Sequence, residues 1–179
     1  MFAWLSQTTL MRPDIPDWLE EIGDKLSNND PLLTTLELTH QRIDDTQGRF
    51  LADKLKDNTS VKFFLLSCYN LVDDGALALA TVLETCQHIR RVQLRDLRNS
   101  REAMIFFKAL SGMKHLEELS IRHSQIDNNS AKYLGLIAES HPNLQELRLV
   151  DSQLGGSSLS TLSRALQSSQ KLRRLYMIN

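Results

Sequence analysis

Apolar residues recur along this chain in a fixed unit, apolar-x-x-apolar-x-apolar. It occurs six times: Leu33/Leu36/Leu38, Val61/Phe64/Leu66, Ile89/Val92/Leu94, Leu116/Leu119/Ile121, Leu144/Leu147/Leu149 and Leu172/Leu175/Met177. The units start 28, 28, 27, 28 and 28 residues apart, which defines an internal repeat. Each unit has two periods. The first half alternates, as in Leu147 and Leu149, and predicts a strand. A further apolar residue (Ile43, Leu71, Ile126, Leu154) precedes a turn. A stretch of helical spacing follows: Leu51/Leu55, Leu79/Val82/Leu83, Phe107/Leu110, Leu134/Ile137 and Leu162/Ala165/Leu166. Asp44/Asp45, Asp73/Asp74, Asp127/Asn128 and Ser157/Ser158 stand where each helix should begin, as residues that accept hydrogen bonds from the free first-turn amides.

Strand and helix have matched lengths. Five strand residues at ~3.3 Å and eleven helical residues at ~1.5 Å each span roughly 16 Å, so they close a coil of constant height. Strands stack ~4.8 Å apart whereas a helix is ~10 Å wide, so the array must bend with its strands on the inner side. The expected fold class is therefore α/β: a right-handed α/β solenoid, with a parallel sheet on the concave face and helices on the convex face. No coil buries its apolar stripe alone; the core exists only between stacked neighbours.

The pattern L-x-x-L-x-L-x-x-N/C-x-L followed by a helix, at this period, resembles the leucine-rich repeats of the ribonuclease-inhibitor type. The resemblance covers Leu33 to Asn179 and implies the horseshoe form of the solenoid. It implies a binding function of several kinds, because the family includes inhibitors, receptor sensors, actin-capping proteins and activators of small GTPases. The chain departs from the family at the N/C position, filled by Gln41, Tyr69, Leu97, Ser124 and Ser152. Gln and Ser can still bond buried backbone groups there; Tyr69 and Leu97 cannot do so in the same way. The third unit lacks one residue and carries Asn99 where an apolar residue is expected, which predicts a distorted turn near Arg95–Ser100.

Residues 1–32 read as an N-terminal helix or partial capping repeat, and residues 33–179 as five full repeats plus the strand of a sixth. Trp18, Leu19, Ile22 and Leu26 have helical spacing, Pro16 suits a first turn and Asp14 a cap. This helix is expected to cover the first strand; the alternative is a docking helix carrying Trp4 and Trp18. At the other end no helix follows Leu172, Leu175 and Met177. The expectation there is a fragment of a longer array, or end-to-end self-association through the uncapped strand.

Composition narrows the classes. Leucine accounts for 32 of 179 residues, and the 21 basic and 22 acidic residues leave a net charge of −1. That balance lacks the basic excess of a nucleic-acid binder. No run approaches the ~18 apolar residues of a bilayer span, and Met1–Arg12 lacks the charged start of a signal peptide. A cytoplasmic protein with no nucleic-acid or membrane partner is expected. Two cysteines make no disulfide framework, and Asn58-Thr59-Ser60 and Asn128-Asn129-Ser130 are read as chance glycosylation matches.

Catalytic and cofactor signatures are absent. There is no Gly-x-x-x-x-Gly-Lys, Gly-x-Gly-x-x-Gly, Gly-x-Ser-x-Gly or His-Glu-x-x-His, and Gly155-Gly156-Ser157-Ser158 reads as a turn with a serine cap. A column of His40, Cys68, Asp96, His123 and Asp151 has ligand types, but its outer members would stand ~15–20 Å apart, too far for one ion. No cofactor and no metal are expected. The resulting function is a non-enzymatic protein–protein interaction module that binds a protein partner through the concave sheet. The alternatives are a small-GTPase regulator and an actin-capping-like cytoskeletal protein. The candidate contact residues are Phe63, Leu65, Arg91, Arg95, Glu118, Arg122, Glu146, Arg148 and Tyr176. Phe63 and Leu65 are either an apolar anchor or ordinary scattered exposure. Arg91 with Glu118, and Glu146 with Arg174, should pair across strands. The Arg95–Arg122–Arg148 step looks least compensated and suits acidic side chains of a partner.

Overall fold

The computed structural model describes residues 15–178. Trp4 and Asp14, invoked above as a docking residue and a cap, lie outside the described residues. Helix α1 (Asp17–Ser27) is followed by β1 (Thr35–Leu38), α2 (Asp45–Leu55), β2 (Phe63–Ser67), α3 (Asp73–Thr85), β3 (Arg91–Arg95) and α4 (Ser100–Gly112). Then come β4 (Glu118–Arg122), β5 (Gln125–Ile126), α5 (Asn128–Ser140), β6 (Glu146–Val150), β7 (Gln153–Leu154), α6 (Gly156–Ser168) and β8 (Arg174–Ile178). The long strands form one parallel sheet in the order β1-β2-β3-β4-β6-β8, and β5 and β7 pair as a small second sheet. Each helix packs on the next, from α1·α2 to α5·α6. Among the described residues no helix is long and apolar enough to cross a membrane.

The core follows the repeat. Leu36, Leu38, Phe64, Leu66, Val92, Leu94, Leu119, Ile121, Leu147 and Leu149 point from the strands toward the helices and are buried. They meet Leu51, Leu55, Leu79, Leu83, Phe106, Phe107, Leu110, Leu134, Ile137 and Leu162 from the helices. Hydrogen bonds between coils continue past the strands. Cys68 N–H donates to Arg95 O, Asp96 N–H to Arg122 O, and His123 N–H to Val150 O. On the entry side Lys62 N–H donates to Thr34 O, Arg90 N–H to Lys62 O and Glu117 N–H to Arg90 O. Asn58, one of the glycosylation matches, is buried and donates its side-chain amide to Leu26 O, tying the return of one coil to the last turn of α1. Helix α1 packs on α2 at the start of the array: Leu19 and Leu26 are buried and Trp18 packs against the core. At the opposite end Leu175, Tyr176, Met177 and Ile178 are exposed.

Two of the four predicted caps are where the sequence places them. Asp44 accepts from Gln47 N–H and closes a capping box, and Asp127 accepts from Ser130 N–H. The other two differ. Helix α3 has Val72 at its N-cap and no side-chain cap of its own. Its free amides are served from the preceding coil: Asp45 Oδ1 accepts from Val72 N–H (2.9 Å) and Gly75 N–H (3.2 Å). Helix α6 has Gly155 at its N-cap, again with no side-chain cap, so neither Ser157 nor Ser158 caps it. Asn99 in the short unit is the N-cap of α4: it accepts from Glu102 N–H and donates to Glu102 Oε1. Helix α4 starts nine residues after its strand begins, against ten in the other coils, so the missing residue belongs to this turn.

The turns divide into two kinds. Asp96, His123 and Asp151 have φ of 60°, 48° and 47°, the left-handed region that Asp, Asn and His tolerate better than most residues. The residue after each of them, Leu97, Ser124 or Ser152, is then turned inward and buried. Leu97 fills the slot with a side chain, and its N–H donates to Ser124 Oγ. Ser124 O–H donates to Arg122 O, and Ser152 O–H lies within reach of Ile121 O and Val150 O. In the first two coils the inward residue comes earlier, as Thr39 and as Cys68, while Gln41 and Tyr69 face solvent. The expectation that Gln41 bonds inside the loop is therefore not met.

Candidate functional site

Parallel register lines the concave face into three rows. The first is Thr35, Phe63, Arg91, Glu118, Glu146 and Arg174. The second is Glu37, Leu65, Gln93, Ser120, Arg148 and Tyr176. The third is Ser67, Arg95, Arg122, Val150 and Ile178. A shallow concavity of about 510 Å³ lies over these rows. Phe63, Leu65, Arg91, Glu118, Arg122, Glu146 and Arg148 line it; Arg95 and Tyr176, the other two candidates, stand beside it. Arg95 is next to Arg122 in register, and Tyr176 is next to Arg148.

The first row neutralises itself, as the sequence implies. Arg91 Nε lies 2.9 Å from Glu118 Oε2, and the Arg91 guanidinium stacks 4.8 Å from the Phe63 ring centroid. Phe63 is therefore half-covered by a cation rather than a bare apolar anchor. Glu146, only 2% exposed, accepts from both Arg148 Nε and Arg174 Nε. Burial alone would raise its carboxyl pKa; the two guanidiniums outweigh that and hold it below the usual carboxylate value.

Arg148 is the point where the expected uncompensated step fails. Besides its bond to Glu146, its guanidinium stacks 4.8 Å from the Tyr176 ring centroid. It also sits opposite Ser120, not Arg122, because β4 and β6 pair Arg122 with Val150. Two arginines remain. Arg95 and Arg122 are direct neighbours on β3 and β4, and the Nε of each is buried without a hydrogen-bond partner among the described residues. The nearest acid to Arg95 is Asp96, at 3.9 Å, and that carboxylate already accepts from Ser67 O–H at 2.8 Å.

The column of possible ligands stays dispersed. Cys68 is buried, and burial followed by Glu102 and Asp96 raises its thiol pKa well above the ordinary value. Cys86 closes α3, with its thiol pushed up to about 11 by burial. His123 Nδ1 lies 3.4 Å from Asp151 Oδ2. Among the described residues no three ligating side chains converge.

The sequence reading missed one cluster. Tyr69 is 44% exposed, and the guanidinium of Arg98 lies 3.5 Å from its ring centroid, with that of Arg42 at 5.8 Å on the neighbouring coil. The signal was available: at the repeat spacing, Arg42 and Arg98 fall in one column, one coil either side of Asn70, the residue after Tyr69.

No protein-family model matches the chain. Human leiomodin-2 is 29% identical over 163 residues, which are 89% of this chain and 30% of that protein. Rat leiomodin-2 is 28% identical over 90% of this chain. This chain thus spans about a third of the length of these relatives. Among solved structures, the C-terminal domain of Caenorhabditis elegans tropomodulin superposes with a TM-score of 0.67 at 15% identity, covering 84% of this chain and 92% of that domain. Leiomodin-1 actin-binding site 2 superposes with a TM-score of 0.62 at 22% identity, covering 86% of this chain and 90% of that one. The repeat array described above therefore has the fold of the tropomodulin C-terminal domain, with a six-stranded parallel sheet alternating with helices.

Proposed function

We propose that this chain is a non-enzymatic, actin-binding repeat module related to the leiomodins, and that actin seats against its concave sheet. The observation that carries this reading is the likeness to leiomodin-2 along nearly the whole chain, joined to a shared fold with a leiomodin-1 segment that is itself an actin-binding site. Of the two alternatives raised from the sequence, these relatives favour the cytoskeletal one over the GTPase regulator. The face suits a protein partner because it is rigid and varied. Its strands are fixed by a continuous parallel ladder, so few groups must be ordered on binding. Its paired charges in the first row supply register, and Phe63, Leu65, Val150 and Ile178 supply apolar area.

Co-sedimentation with filamentous actin and sedimentation velocity with monomeric actin test the proposal. The chain is expected to bind at least one form, and Arg91→Glu together with Leu65→Asp to weaken that binding without altering the circular dichroism spectrum. Absence of binding to either form would overturn it. Binding that ignores the double substitution would keep actin and move the contact off the concave face.

A further inference from the structure

We infer that Arg95 and Arg122 form a clamp for one carboxylate of a protein partner, and that the partner segment is extended, with an acidic residue followed two positions later by an apolar one. The inference deepens the binding role proposed for the concave sheet. It starts from the third row. Reading across the sheet, that row is Ser67, Arg95, Arg122, Val150 and Ile178. It has two cations side by side, no acid, and an apolar end. Every other arginine that points from the strands into this face is matched: Arg91 by Glu118, and Arg148 and Arg174 by Glu146.

Like charges on directly opposed residues destabilise a sheet. Here the pair is also partly desolvated, since both Nε–H groups are buried and lack an acceptor among the described residues. Both side chains are nevertheless partly exposed, so a carboxylate on their outer side can offset the repulsion between the two charges. Two guanidiniums carried by neighbouring strands, which lie ~4.8 Å apart, can each give hydrogen bonds to one carboxylate, and arginine suits that bidentate geometry. Asp96 does not supply this partner: it stands 3.9 Å from Arg95 Nε and is engaged by Ser67.

The apolar half of the occupant follows from spacing. From the midpoint of Arg95 and Arg122, where the carboxylate would sit, to Val150 is about one and a half strand separations, roughly 7 Å. Two residues of extended chain cover about that distance and return to the same side. A phosphate group would satisfy the arginines but leave Val150 and Ile178 uncovered, so the row favours a peptide carboxylate.

Titration of the arginine Nε–Hε resonances by NMR tests this without knowledge of the natural partner. The probe is the blocked peptide acetyl-Ser-Glu-Ser-Leu-Ser-amide, set against its glutamine analogue and inorganic phosphate. The Arg95 and Arg122 signals should move with the glutamate peptide, and the shift should fall at least tenfold in apparent affinity for the glutamine analogue and for phosphate. Arg122→Gln should abolish the Arg95 response to the peptide while leaving the Arg91 signal unchanged. Equal responses to the glutamate and glutamine peptides, no response at all, or phosphate binding as tightly as peptide would each overturn the clamp. If actin fails to bind but these signals respond, the clamp stands and the actin reading fails. If actin binds wild type and Arg122→Gln equally and the signals are silent, the reverse holds.

Discussion

The first two coils and the three that follow solve the same turn in different ways. In the later coils Asp96, His123 and Asp151 take a left-handed conformation and the next residue plugs the interior. In the first two, the inward residue comes earlier, Tyr69 stays outside between arginines, and α3 is capped by Asp45 from the coil before. The repeat thus demands a filled slot and satisfied amides, not a particular residue at a particular position. The consequence is a different kind of coupling. The early coils are tied by a carboxylate crossing between helices, the later ones by serine hydroxyls crossing between loops.

The largest expected effect breaks the early arrangement. A Cβ on Gly75 would stand 2.5 Å from Asp45 Cα, so α2 and α3 can approach only because that atom is missing. Gly75→Val should destabilise the protein by about 3 kcal/mol in urea unfolding, since a backbone contact cannot relax as a side chain can. If it costs less than about 1 kcal/mol, the close packing of these helices is not a constraint. Next, Asp45→Ala removes the acceptor for both Val72 and Gly75 amides and should cost about 1–2 kcal/mol. Asp74→Ala, which alters a residue within α3 itself, should change stability by less than about 0.5 kcal/mol.

The later arrangement has a matching test. Ser124→Ala leaves the buried Leu97 N–H without its acceptor and should cost about 1–2 kcal/mol, whereas Gln41→Ala, at the same repeat position but in solvent, should stay within about 0.5 kcal/mol. Equal effects would remove the distinction between the two kinds of turn.

The smallest effect is a pH dependence. His141 is 4% exposed at the end of α5; one of its ring nitrogens lies 2.8 Å from Met113 O and the other has no partner among the described residues. Burial lowers its pKa below 6.5, with the Met113 carbonyl opposing. His88 is lowered too, by burial and then by Lys62 and Arg90. In both cases the unfolded chain takes up the proton first. Stability should therefore be flat above pH 6.5 and fall as the pH drops from there toward the lowered folded-state values. His141→Met, which copies Met113 at the equivalent return one coil earlier, should flatten part of that slope. An unchanged slope would assign the effect to other groups.

Much of the architecture was legible in the sequence because a repeat reports itself six times. Strand spacing, helix spacing and the cross-strand pairs Arg91–Glu118 and Glu146–Arg174 all follow once the units are aligned, since parallel register preserves the alignment. The failures came where neighbours, not local sequence, decide. Asp73 and Asp74 look like caps, but the acceptor reaching the α3 amides is Asp45, 27 residues before Val72. Arg148 looks unpaired in a column of arginines, but the buried Glu146 beside it on its own strand face and the Tyr176 ring on β8 take its guanidinium.

The sequence by itself determined the period, the curvature and the composition of each face, because apolar positions at fixed spacing can be buried only by stacking equivalent coils. Only the tertiary structure decided which charges on the concave sheet remain unmet. That depends on a few ångströms of side-chain reach between coils, and it leaves Arg95 and Arg122 as neighbouring arginines whose Nε–H groups have no hydrogen-bond acceptor among the described residues.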